Sequence, residues 1–117
     1  MPNKWTFQKI QLFLNMVELI QNKLEDIIII CKKHNVISLS LFGSAANRTM
    51  DHDSDIDLLV QFSPTMDVMG YADNYFSLLG DLEVLLGRRI DLVSAKSLKN
   101  PVLKAEIDRS KIDLYAA

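Results

Sequence analysis

The chain has 117 residues, 49% of them apolar, with 13 Lys and Arg against 15 Asp and Glu and a formal net charge of −2. That length suits one small domain with one ordinary core. The charge balance disfavours a protein that grips long nucleic acid by its phosphates, since that role needs a net basic surface. The longest unbroken apolar run, Ile27 to Cys31, falls far short of the roughly 20 residues of a membrane helix. No charged n-region leads into a long apolar h-region, as a secretory signal would. Cys31 is the single cysteine, which excludes an internal disulfide and a Cys-based zinc site. A cytoplasmic protein without membrane attachment is expected.

In chain order, Ile10, Phe13, Leu14, Val17, Ile20, Leu24, Ile27, Ile28 and Cys31 recur at spacings of three or four. This predicts one amphipathic helix over 6–34. Thr6 is its expected N-cap, Lys32-Lys33-His34 suits its C-terminus, and Asn35 closes it. Val36 to Phe42 alternates and reads as a strand, the polar stretch from Gly43 to Ser54 as a loop, and Asp55 to Phe62 as a second strand. Asp67 to Leu86 is a second helix, with Val68, Tyr71, Tyr75, Leu78, Leu79, Leu82, Leu85 and Leu86 inward and Gly87 after its end. Arg89 to Val93 is a third strand, Pro101 to Ser110 a third helix capped by Asn100, and Ile112 to Tyr115 a last short strand. The fold class is α/β: a small mixed β-sheet with helices packed on it.

Asp55 and Asp57 sit two apart in a strand, so both carboxylates point to one face while Ile56, Leu58 and Val60 point to the other. Asp91 repeats the arrangement between Ile90 and Leu92. If the two strands pair suitably, three carboxylates converge and repel one another. One or two divalent cations would remove that penalty, and carboxylate oxygens suit Mg²⁺ or Mn²⁺. Two such metals about 3.5–4 Å apart are a device for phosphoryl or nucleotidyl transfer. Gly43-Ser44 directly follows the first strand. Glycine lets backbone approach a ligand closely, and the serine offers a hydroxyl and an N–H to phosphate oxygens. A phosphate turn and neighbouring metal carboxylates are the two halves of a nucleotide-triphosphate site.

The stretch LFGSAANRTMDHDSDIDLLV resembles the Gly-Ser, ten-residue spacer, Asp-x-Asp motif of the DNA polymerase β-like nucleotidyltransferase superfamily. The single-domain size resembles its minimal nucleotidyltransferases. The later stretch YADNYFSLLGDLEVLLGRRIDLVSAKSLKNPVLKAEI is similar to the same group, and the resemblance covers roughly residues 20 to 117. It implies a polymerase β-like palm fold. It also implies that Asp55, Asp57 and Asp91 are the catalytic metal ligands, that Asp91 helps to deprotonate the incoming hydroxyl, and that Gly43 and Ser44 hold the β and γ phosphates of ATP. Many relatives read Gly-Ser-Arg-Ala-Arg-Gly in the turn, where this chain has Ala45, Asn47 and Arg48 at the third, fifth and sixth places. Arg48 is then the candidate for the turn arginine's contact with triphosphate.

The resemblance further implies transfer of AMP from ATP, with two Mg²⁺ ions, to a hydroxyl. The favoured acceptor is a tyrosine of a partner HEPN-domain toxin, with this chain acting as the antitoxin. Two alternatives stand beside it. A small-molecule nucleotidyltransferase would need an acceptor wall beyond the short segment after Asp91. A non-catalytic toxin-binding module would neutralise its partner by contact alone. A homo-oligomer is compatible with all three. Residues 1–15 carry no motif and are expected to form an N-terminal helical extension, with 16–117 as the nucleotidyltransferase domain.

Other groups have plainer roles. Asp51, Asp53 and Asp55 mimic an EF-hand start, but Ile56 stands where its glycine and Phe62 where its glutamate belong. His52 is a loop residue near the motif, Cys31 a core residue, and Lys32-Lys33 and Arg88-Arg89 solvated charge. Tyr71 and Tyr75 are core or surface aromatics rather than ligand stacks.

Overall fold

A computed structural model describes residues 7–42 and 56–117. Thr6, Gly43, Ser44, Asn47, Arg48, Asp51–Asp53 and Asp55 lie outside the described residues.

Two helices open the chain where one was expected: α1, Phe7–Asn22, and α2, Leu24–Lys33. The break falls at Lys23, with φ −109° and ψ 6°. There the Lys23 N–H donates to the Ile20 carbonyl at 3.2 Å, and α2 opens with the Ile27 N–H on the Lys23 carbonyl at 2.9 Å. A one-residue irregularity of this kind leaves both halves apolar on the core side, so a stripe of threes and fours runs through it unbroken. The inward line is Met16, Ile20, Ile27 and Cys31, all buried, whereas Leu14 is 51% exposed and does not belong to it. Asn35 ends the helical segment at φ 58°, a left-handed conformation that asparagine tolerates.

Strand β1 is Val36–Phe42, β2 is Ile56–Phe62, β3 is Ile90–Ser94 and β4 is Ile112–Ala116. They form one mixed sheet in the order β3-β2-β1-β4. β1 runs antiparallel to both β2 and β4, and β2 runs parallel to β3. Parallel neighbours need a crossover, which helix α3, Val68–Leu86, supplies. Asp67 caps it by accepting from the Gly70 N–H at 2.7 Å. A Cβ on Gly70 would come within 3.0 Å of that carboxylate oxygen, so the glycine makes room for the cap. Gly87, at φ 64°, ends the helix. A 3₁₀ turn, Ala95–Ser97, and helix α4, Pro101–Ser110, return the chain to the opposite edge. Asn100 caps α4 by accepting from the Val102 and Leu103 N–H groups.

Helices α1, α2 and α3 cover one face of the sheet. Leu39, Leu41, Ile56, Leu58, Val60, Ile90 and Leu92 are buried there with Ile27, Cys31, Leu78, Leu82 and Leu86. Val68, expected inward, is 84% exposed, because it is the first residue of α3 and precedes the turns that reach the sheet. His34 does more than end α2. It is buried, its Nδ1 lies 2.8 Å from the Ile30 carbonyl, and its Nε2 lies 2.9 Å from Ser77 Oγ and 3.3 Å from the Asp81 carboxylate. This ties α2 to α3. Burial pushes the Cys31 thiol up to about 12, in keeping with an inert core residue. Among the described residues no helix is long and apolar enough to cross a membrane.

Candidate active site

The residues between the core positions of β2 and β3 face away from α1, α2 and α3. Asp57 pairs directly with Asp91 in the parallel register, between the matched core pairs Ile56–Ile90 and Leu58–Leu92. Neighbouring strands lie about 4.8 Å apart, so the two carboxylates share one spot on the open face. Asp91 is exposed and Asp57 half-buried. On its other side Asp57 pairs with Phe42, the last residue of β1, and Gly43 follows Phe42 in the chain. The structure thus brings together two of the three expected carboxylates. Like charges side by side are unfavourable, and two adjacent oxygen-donor groups fit a hard divalent cation. Among the described residues no cluster of three metal-ligating side chains occurs. Asp55, Gly43, Ser44 and Arg48, the rest of the expected site, lie outside the described residues.

Tyr71 and Tyr75 fasten β3 to α3. The Tyr75 hydroxyl donates to the Leu92 carbonyl at 2.5 Å. Burial raises its pKa above the ordinary value, helped by the charge of Asp91 and by Tyr71, so the phenol stays a donor. Tyr71 packs edge-on against Phe62, with ring centroids 5.1 Å apart, and its hydroxyl bonds Ser94 Oγ. These contacts hold the strand that carries Asp91.

Further along the same open face lies a cavity of about 410 Å³. Leu59, two residues past Asp57, forms part of its floor, and Lys96, Lys104, Asp108 and Lys111 line it. Neither carboxylate of the pair lines it. Sequence reading missed these lysines. One signal was present: Lys104, Asp108 and Lys111 are spaced i, i+4, i+7, which puts them on one side of α4. Lys96 sits with its Nζ 5.6 Å above the Tyr71 ring, while Lys111 pairs with Asp108 at 3.6 Å.

Comparison with known proteins agrees with this geometry. The family model described as "Polymerase beta, Nucleotidyltransferase" matches residues 25–117. The chain is 38% identical over 84 residues to a "Putative protein adenylyltransferase" of Methanocaldococcus jannaschii, covering 72% of this chain and 82% of that one. It is 34% identical over 73 residues to the protein adenylyltransferase MntA of Thermococcus cleftensis, covering 62% of this chain and 70% of that one. Among solved structures, a toxin–antitoxin crystal structure with AMP-PNP superposes with a TM-score of 0.59 at 25% identity, over 80% of this chain and 73% of the other. The family match extends over both described carboxylates, the whole sheet and α4. This chain belongs to the polymerase beta nucleotidyltransferase family.

Proposed function

We propose that the chain is a protein adenylyltransferase that moves AMP from ATP to a tyrosine hydroxyl of a HEPN-domain toxin and so acts as its antitoxin. The observation that carries this reading is the pairing of Asp57 with Asp91 on the sheet face turned away from the main core. It is supported by the relatives described as protein adenylyltransferases and by the neighbour that holds AMP-PNP in a toxin–antitoxin complex.

Asp57 and Asp91, with Asp55, would hold Mg²⁺. When bound, the ion supplies positive charge against the α-phosphate and the leaving pyrophosphate. Gly43 and Ser44 bind the β and γ phosphates, and Arg48 adds charge to that end. Asp91 takes the proton of the acceptor hydroxyl as its oxygen bonds to the α-phosphorus. The bond from that phosphorus to the bridging oxygen breaks, and pyrophosphate leaves. The remaining contribution is positioning, with the reacting atoms held about 3–3.5 Å apart.

The test is incubation with a HEPN-domain protein as candidate partner, ATP and Mg²⁺, followed by intact-mass measurement of that protein. Added AMP units that vanish with Asp57→Asn are expected. An unchanged mass, together with full neutralisation of the toxin by Asp57→Asn, would replace this reading with contact-only inhibition.

Two further outcomes are expected. Gly43→Val blocks close backbone approach and weakens ATP binding at least tenfold by titration. Ser44→Ala costs less, roughly 0.5–1.5 kcal/mol, or up to 3 for a bond to a charged oxygen. Equal affinity in wild type and Gly43→Val would remove the turn from the site. The 16–117 fragment, taken as the catalytic unit, binds ATP like the full chain but melts earlier. Its cut falls inside α1, one residue before the buried Met16. A folded fragment that had lost nucleotide binding would assign residues 1–15 to the site.

A further inference from the structure

The reading above fixes the direction from which the acceptor must come. Attacking and leaving oxygens lie roughly in line across the phosphorus. The triphosphate end belongs beside β1, whose last residue pairs with Asp57. The base that takes the proton, Asp91, is on β3. The line from leaving group to nucleophile therefore runs across the strands from β1 over β2 to β3, and the nucleophile enters from beyond β3. β3 is the edge strand of the sheet.

At that edge lies a shallow, mostly apolar groove of about 570 Å³ between α3 and β3, lined by Ala72, Phe76, Val93, Lys96 and Ser97 among others. Val93 lies two residues from Asp91 in β3, so the groove begins within one strand repeat of that carboxylate, which does not itself line it. The outward side of α3 extends it: Met69, Ala72 and Phe76 follow at i, i+3 and i+7 on one stripe. Met69 is 72% and Phe76 68% exposed. The Phe76 ring stands at 90° to Tyr75 with centroids 5.2 Å apart, so this exposed apolar ring is held in place. An apolar stripe and a fixed aromatic beside a reaction centre mark a contact surface rather than ordinary solvent-facing helix.

We propose that the α3–β3 groove docks the acceptor protein, which lays the apolar side of a helix against Met69, Ala72 and Phe76 and brings its tyrosine to Asp91. A helix suits the edge better than an added strand, because the Tyr75 hydroxyl already occupies the Leu92 carbonyl and side-chain contacts remain the available mode. The proposal rests on the protein-adenylyltransferase reading.

The test compares wild type, Phe76→Glu, Ala72→Arg and Asp57→Asn, with Ile29→Glu as an exposed control on α2, 63% accessible. Three readouts are taken on the full chain: Mg²⁺-dependent thermal stabilisation by AMP-PNP, affinity for a HEPN-domain partner protein, and the initial rate of AMP addition to it by mass. Phe76→Glu and Ala72→Arg are expected to keep the AMP-PNP shift, and to weaken partner binding about 30-fold, as loss of an interface anchor does, with a matching fall in rate at low partner concentration. Ile29→Glu stays at the wild-type level throughout. Wild-type binding and transfer in Phe76→Glu and Ala72→Arg would overturn the docking surface and leave the transferase reading standing. Absence of transfer by wild type, equal to Asp57→Asn, would overturn the transferase reading, and the docking proposal with it.

Discussion

Asp57→Asn and Asp91→Asn are each expected to lower the rate of AMP transfer by at least about 10²-fold, which at 1.36 kcal/mol per tenfold is about 2.7 kcal/mol or more of lost transition-state stabilisation. Asparagine keeps the shape and removes the charge. The two carboxylates sit opposite each other in the β2–β3 ladder with no residue between them, so either change leaves a single described carboxylate at that spot. The fold supplies a control. The flanking residues Ile56, Leu58, Ile90 and Leu92 are buried in the core and pack the β2–β3 register. Metal-free Asp91→Asn should therefore melt at or slightly above wild type, since like charges directly opposite destabilise a sheet. The metal-dependent shift with AMP-PNP should be lost in both variants. Scanning fluorimetry with and without Mg²⁺ reads both quantities. A full Mg²⁺-dependent shift in both variants would dismiss the pair as the metal site. A large loss of stability without metal would mean the carboxylates are structural.

Leu82→Ala is expected to cost about 2–5 kcal/mol by denaturant unfolding, a large share of the roughly 5–15 kcal/mol that stabilises a domain. Leu82 is 0% exposed and lies with Leu78 and Leu86 on the side of α3 that covers the sheet. The cavity left by the three lost carbons opens against β-strands fixed by their own ladder, so little collapse can refill it. Val84→Ser, two residues on and 85% exposed, should stay within about 0.5 kcal/mol. Similar costs at both positions would contradict the orientation of α3. That orientation also places Phe76 at the surface, so the two measurements together check the helix face invoked for docking.

The amino-acid sequence determined more of this protein than its size suggests. Alternation of Ile56 and Leu58 with Asp55 and Asp57 determined which face of β2 is core, because a strand has a side-chain period of two. Gly87 determined where α3 ends and Asn100 where α4 begins, because each satisfies backbone groups locally. The Gly-Ser and Asp-x-Asp spacing carried the family, since the chemistry needs those groups at those distances along the chain. Tertiary structure alone decided the rest. The break at Lys23 was hidden because the buried lines of α1 and α2 join across it. That Asp57 meets Asp91 depends on the parallel β2–β3 register, and no local pattern encodes which strand lies beside which. The lysine-lined cavity and the α3–β3 groove likewise form between segments distant in the chain. They exist only after the crossover through α3 and the return through α4 have brought those segments together, because a concave surface is a property of packed elements and not of any one of them.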